Sequence, residues 1–380
     1  MLADDLLETL DHHLTHRDVA ALGYGSDEYH AEPQEHPMAY ALYLRGLTSL
    51  FRATAERRYL DHAERCGRRL LELRSPEAPG WGLGFRWKDA ERDTPYTITT
   101  ALCAWALLEH ALATGDSDSL QAAHESCTWL ARGVPWSVIA DGAGPWYSPD
   151  QPYVLPNVVA ITAGALSSMS AVSGDAQLRA SAQAAARFVE RAEVDRGCWP
   201  YGFAGKSRSG NVRPENVVDL MHSAYVLDGI VGTGGALGSA ALLAAAGRAA
   251  EFIRTHFIGD GGRCIEKLVL VRRDDPATHK LLTSGRRLLT LAGGQSLVAF
   301  STESRVWGYG ALFRAFARCE PTGLASLDAL APVIARVLTH QCATQDGRFT
   351  YLPDDPAAYP RQEAHLFDGL AAVVEALATR

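Results

Sequence analysis

Apolar and polar positions follow one recurring pattern along the chain. A helical stretch apolar on nearly every side is followed by a short break, an amphipathic helical stretch, and a loop rich in Gly, Trp and Tyr. The clearest copies run from Tyr96 to Gly133 and from Asn157 to Ala192. In each, a Gly-Asp step (Gly115-Asp116, Gly174-Asp175) predicts a first helix ending on a left-handed glycine and a second starting on a polar cap. Looser copies in phase span Pro37 to Leu73 with a break near Ala55-Glu56, Val217 to Phe257 with a break at "GTGG", and Val306 to His340 with a break at "CEPTG". A last apolar helix, Glu363 to Ala378, has no partner after it, and a helix over Leu2 to His16 can supply one. The count closes at six hairpins, about twelve helices of ordinary length.

The first helix of each pair reads as buried all round ("TALCAWALL", "AITAGALSSMS", "YGALFRAFA"), whereas the second carries a polar stripe, as in "RRYLDHAERCGRRLLEL". That contrast predicts an inner and an outer layer. Pairing of the two terminal helices closes them into a ring, an all-α fold of six helical hairpins forming one domain over residues 1–380. An open helical solenoid is the alternative topology. The connections from outer to inner helices are the long ones, so binding residues are expected on that face. The longest, Ile258 to Arg305, reads as an insertion or lid, with Arg263 to Arg273 and Arg286 to Ala292 alternating like a β-hairpin.

Composition narrows the function. The chain has 380 residues, 47% of them hydrophobic, which excludes a disordered or disulfide-stapled protein. Its formal charge of -8 repels nucleic acid and anionic membranes. The 258–305 segment runs against that average, with eight basic residues against five acidic ones, and could cover an anionic substrate or be a solvated hairpin. Seven scattered cysteines show no zinc spacing and read as reduced, buried thiols. No metal or other cofactor is expected. With no secretory signal and no long apolar run, a cytoplasmic location is expected. Oligomeric state is left open.

Candidate chemistry centres on "NVVDLMHSAYVLDGI". Asp219, His222 and Tyr225 stand three residues apart near an inner-helix start, on one face. A carboxylate can orient an imidazole and raise its basicity, and a phenol can carry a second proton. A buried Asp-His pair that merely caps the helix is the plainer reading. His365, in "RQEAHLFDG", and His36, before Pro37, should approach the same mouth, with Arg305 as an anion clamp. The loop aromatics Trp81, Trp87, Trp146, Trp199, Tyr201 and Trp307 could stack on sugar rings or simply plug the end of the ring.

The helix-Gly-Asp-helix repeat resembles the six-hairpin (α/α)6-toroid superfamily, which includes glucuronyl hydrolases, polysaccharide lyases, sugar epimerases and terpenoid-cyclase-like proteins. "GCWPYG", "VDLMHSAYVLDGI" and "RVWGYGALFRAF" look like elements of bacterial polysaccharide-biosynthesis toroids. The resemblance implies that Asp219, His222, Trp199, Tyr201 and Trp307 border the cleft. The DxDD acid motif of squalene and hopene cyclases is not reproduced by "LADD" or "LPDD", and the Cys-Cys-His zinc set of lanthipeptide cyclases is absent. The sequence therefore predicts a carbohydrate-active enzyme working by general acid/base chemistry on a small saccharide or glycoconjugate, through uronate hydrolysis, elimination or epimerisation. The alternatives are a natural-product cyclase acting on a peptide or isoprenoid, and a non-catalytic binding toroid.

Overall fold

A computed structural model describes residues 2–87, 91–201, 217–271, 288–290, 296–342 and 344–380. Six inner helices, α2 (Pro37–Thr54), α4 (Thr97–Thr114), α6 (Pro156–Ser173), α8 (Leu220–Leu237), α10 (Val306–Cys319) and α12 (Pro360–Ala378), each pack against the next, and α12 returns to α2. Around them lie the outer helices α3 (Arg57–Glu72), α5 (Ser117–Arg132), α7 (Ala176–Ala192), α9 (Ala240–His256) and α11 (Ala331–His340), with α1 (Leu2–Thr15) on α12. The ring is therefore closed by the two termini, as the repeat count predicts, and not an open solenoid.

Local chemistry sets the helix ends. Pro stands in the first turn of α2, α6 and α12, where its missing N–H costs nothing. Gly115 and Gly174 end α4 and α6 in the left-handed conformation, and Asp116 and Asp175 then accept N–H bonds from the first turns of α5 and α7. In the fourth hairpin the sequence places the break at "GTGG", but α8 runs through it to Leu237 and the turn falls at Gly238. Gly232 serves packing instead: a Cβ there would lie 2.8 Å from the Trp105 ring. Gly310 acts similarly, since a Cβ there would come within 2.1 Å of the His365 carbonyl. That close crossing of α10 and α12 fixes the turn that carries His365.

The termini are sewn together by polar contacts. The buried His13 of α1 donates from Nδ1 to the Gly347 carbonyl (2.7 Å), accepts at Nε2 from Tyr43 (3.0 Å), and stacks on Phe349. Arg17 pairs with the fully buried Glu363.

An ionic column fills the ring axis. Arg45 bonds Asp368 through two nitrogens, Arg318 bonds Asp228 and Glu109, Arg314 bonds Glu109, and Arg52 bonds Glu375. Five of the six inner helices supply these groups.

Strands lie in the connections that lead into inner helices. β1 (Tyr24–Asp27) pairs with β2 (His30–Glu35), and β3 (Trp136–Ile139) with β4 (Gly142–Pro145). A four-stranded antiparallel sheet has the order β5 (Val217–Asp219), β6 (Ile265–Val271), β8 (Ser296–Glu303), β7 (Leu288–Thr290). The two segments predicted to form a hairpin are thus separated by β8. This longest strand leads straight back into α10 and hydrogen-bonds to both. The basic residues Arg272, Arg273, Lys280, Arg286 and Arg287, on which the lid expectation chiefly rests, lie outside the described residues.

Candidate active site

A cavity of about 400 Å3 opens where the inner helices begin. Every inner helix contributes from its first two turns: Met38, Ile98, Asn157, His222 and Tyr225, Trp307, and Arg361 and His365. Six helix N-termini, the partially positive ends of their dipoles, thus surround one space.

Asp219 is the N-cap of α8. One carboxylate oxygen accepts the His222 backbone N–H (2.9 Å), and the other lies 2.5 Å from His222 Nδ1. Because an ionised carboxylate only accepts, Nδ1 carries the hydrogen and the Nε2 lone pair is left available. Nε2 makes no hydrogen bond among the described residues, and the imidazole, 22% exposed, lines the cavity with Tyr201 edge-on at 4.5 Å. Burial works against the Asp219 carboxylate, but the His222 contacts outweigh it and hold its pKa below the usual value. Capping and imidazole orientation, the two rival readings of this pair, are carried out by different oxygens of one side chain.

Tyr225 turns to a different partner. His365 Nδ1 lies 2.5 Å from the Arg361 carbonyl and donates to it, so Nε2 accepts from the Tyr225 hydroxyl, also at 2.5 Å. Burial, together with the nearby Arg361 and Arg45 charges, depresses the His365 pKa to about 3, so the ring is neutral. Burial raises that of Tyr225.

Two arginines stand at the mouth in different states. Arg361 grips the buried Asp27 through Nε (2.6 Å) and Nη2 (2.7 Å), while its Nη1 makes no hydrogen bond among the described residues. Arg305 is spent. It bonds Glu266 through Nε (2.9 Å) and Nη2 (2.5 Å), bonds Glu28 through Nη1 (2.9 Å), and lies over the Trp307 ring at 4.2 Å. Its geometry is that of an anchor holding the β1–β2 tip across the mouth, not of an anion clamp. Arg305→Met is accordingly expected to lower stability by about 3 kcal/mol, because it strands two largely buried carboxylates. A thermal melt reads this out, and an unchanged melting temperature would return Arg305 to the clamp role.

Of the other predicted residues, Trp87, Tyr201 and Trp307 line the cavity, and Trp81, Trp146, Trp199 and His36 do not. The indole of Trp81 donates to the Leu70 carbonyl, and that of Trp199 to the Val189 carbonyl. Trp136 does the same to Leu130, so three loops use an indole to satisfy the last turn of the preceding outer helix. Trp146 is tied to Ser137, and the buried His36 donates to the Gly25 carbonyl. The cavity adds residues that were not singled out as binding groups: Arg361, Asn157, Lys267 and Tyr29. Asn157 Oδ1 and Trp307 Nε1 are buried without a hydrogen-bond partner among the described residues. A lone amide at the start of an otherwise apolar helix, and an arginine just after a helix-starting proline, were the available signals.

No family model matches the sequence, and no curated protein matches it. Solved structures do match along the whole length. An inactive variant of the α-1,6-mannanase GH76A of Salegentibacter sp. HEL1_6, in complex with α-1,6-mannotriose, superposes with a TM-score of 0.68 at 14% identity, covering 99% of this chain and 98% of that one. Cellobiose 2-epimerase from Bacillus thermoamylovorans B4167 gives 0.66 at 14% identity, covering 97% of both chains. This chain has the (α/α)6-toroid fold. A glycosyl hydrolase family 88 protein from Bacteroides vulgatus matches the same toroid at 0.61 and 10% identity, covering 98% of this chain and 99% of that one. Among the described residues no helix is long and apolar enough to cross a membrane, and no cluster of His, Cys, Asp and Glu is arranged to hold a metal ion.

Proposed function

We propose that the toroid is a saccharide-acting enzyme that moves a proton on and off a carbon next to a carbonyl, as an epimerase or isomerase does. The observation that carries this reading is the balance of groups in the cavity. Two imidazoles and four phenols line it, His365 and Tyr225 among them as a hydrogen-bonded pair, while the only carboxylate among the described lining residues, Asp219, is committed to His222. Glycoside hydrolysis ordinarily needs two carboxyl groups flanking the scissile bond. Both a cellobiose 2-epimerase and glycoside hydrolases stand among the similar structures, and this balance favours the first kind of chemistry.

In the proposed reaction, His222 Nε2 takes the proton from the carbon, and Asp219 stabilises the imidazolium that forms. The charge that develops on the carbonyl oxygen is met by the six helix N-termini and by the free edge of Arg361. Tyr225 and His365 form a second proton carrier. The Tyr225 hydroxyl, positioned by His365 Nε2, gives its proton to the opposite face of the same carbon, and the proton held on His222 passes to solvent while solvent reprotonates the phenolate, so no net proton is gained or lost. A non-catalytic toroid would have a mouth without ionisable groups in hydrogen-bond reach, whereas Asp219–His222 and Tyr225–His365 are each 2.5 Å apart. The reading is tested by incubating the protein with reducing mono- and disaccharides in D2O. Deuterium at C2, with the epimer or ketose appearing by NMR, is expected; release of shorter sugars without exchange would replace it with hydrolysis.

A further inference from the structure

The cavity is divided by chemistry along the order of the ring. Every side chain placed above in proton transfer or charge stabilisation (Asp219, His222, Tyr225, Arg361, His365) belongs to α8, to its N-cap or to α12, and Trp307 of α10 lies between them. The helices α2, α4 and α6 and the loops leading into them form the other half. There the lining includes Met38, Leu83, Phe85, Ile98, Leu155 and Val158, whose side chains carry no N–H or O–H group, beside the aromatic Tyr29, Trp87 and Tyr147, each with one polar atom on a largely apolar ring. Leu83 and Phe85, with Tyr96, form an apolar cluster separate from the main core, and Trp87 and Tyr147 lean on it. At the seam of the two halves lies Asn157, 4% exposed, its Oδ1 with no partner among the described residues.

A bare sugar does not suit both halves. Its ring presents hydroxyls around the whole edge, and each one facing Met38, Leu83, Ile98, Leu155 or Val158 would lose its water without gaining a hydrogen bond. We infer that the natural substrate is an amphiphilic saccharide: a hydroxylated ring against the α8–α10–α12 wall, carrying an apolar aryl, acyl or alkyl substituent that sits against the α2–α4–α6 wall. The inference rests on the saccharide reading above and specifies its substrate class. The unpartnered Asn157 amide then takes a hydroxyl at the junction, where the ring ends and the substituent begins. The occupant is fixed by continuity, because the apolar wall and the proton-transfer groups line one cavity.

The test uses methyl and phenyl glycosides of D-glucose and D-mannose, which are locked at C1 and report binding without turnover, in calorimetric titrations. The phenyl glycoside of at least one sugar is expected to bind about ten- to hundredfold more tightly than its methyl counterpart, the range by which a hydrophobic pocket distinguishes small apolar groups. In Leu155→Ser that ratio should fall towards one. Leu155 is the N-cap of α6, a position where Ser is favoured, so this variant keeps the helix start intact. Ile98→Thr is the second variant, and the ratio should fall there too. Equal affinity of the two glycosides in the wild type, or a ratio surviving both substitutions, overturns the inference. If no glycoside binds although free sugars exchange deuterium, the inference falls alone; if exchange is also absent, the saccharide reading falls with it.

Discussion

Replacing His222 by Ala is expected to lower turnover by about 10³-fold, within the range for removing a general base, while the toroid stays folded. The separation of effects follows from geometry. The imidazole is 22% exposed, and the cap on α8 is made to the His222 backbone N–H, which the substitution leaves in place. Asp219→Asn is the sharper companion. Asn is as good an N-cap as Asp, so melting should hardly change. Its amide, however, would donate towards His222 Nδ1 and move the ring hydrogen to Nε2, where a base needs a lone pair. A loss of similar size is expected, as happens when the carboxylate of a Ser-His-Asp triad is neutralised. The double variant should be little worse than either single one, since the two residues act as a unit. The readout is the rate of epimerisation or deuterium exchange beside a thermal melt. A fully active His222→Ala protein would end the assignment, and additive losses in the double variant would break the dyad.

The ring was legible because its signal is repeated and physical. Apolar faces and Gly-Asp breaks mark α4 to α7 to within a residue or two, and the same pattern, more loosely, marks the other hairpins. "GTGG" misleads because glycine has two uses. In isolation it reads as a break, yet here it lets Trp105 approach a helix that continues for a further turn. The tryptophans mislead similarly. Gly-Trp loops suggest sugar platforms, but Trp81 and Trp199 spend their N–H groups on outer-helix carbonyls.

Asp219 and His222 were readable as a pair because one helical turn joins them. The bond from Tyr225 to His365 spans 140 residues, and the Arg361–Asp27 pair spans 334, so only closure of the ring creates them. Arg305 illustrates the remaining difficulty. Its position at an inner-helix start was legible, but the two carboxylates that occupy it come from β6 and the β1–β2 turn.

The second large effect concerns the axis. Glu109 of α4 receives Arg314 (2.7 Å) and Arg318 (3.1 Å) from α10, with Arg52 of α2 at 3.8 Å. Glu109→Gln is expected to destabilise the toroid by about 3–5 kcal/mol, because the paired guanidiniums would keep their desolvation cost and lose their counter-charge. That is a large part of the 5–15 kcal/mol that holds a typical protein folded. The effect should depend on pH with a definite sign. Although burial alone would raise it, the arginines hold the Glu109 pKa far below that of an ordinary glutamate. A depressed folded-state pKa contributes stability that is full above the unfolded value, about 4.3, and is lost as pH falls through the folded one. The gap in stability between wild type and Glu109→Gln should therefore be widest near neutral pH and narrow steadily below about pH 4. Denaturant unfolding at pH 7 and pH 3 measures it. A gap that does not change with pH would mean that Glu109 acts by packing and not by charge. The column also begins one turn below the acid/base groups, since Asp228 follows Tyr225 by three residues and Asp368 follows His365 by three. If the column fixes those helices in register, Glu109→Gln should lower turnover even at temperatures where the protein remains fully folded. Replacing Glu109 and Arg314 together by Leu and Met should restore only the part of the stability that Arg314 accounts for, because a buried ion pair can be exchanged for apolar volume at little cost when both partners leave, whereas Arg318 and Arg52 still lose Glu109.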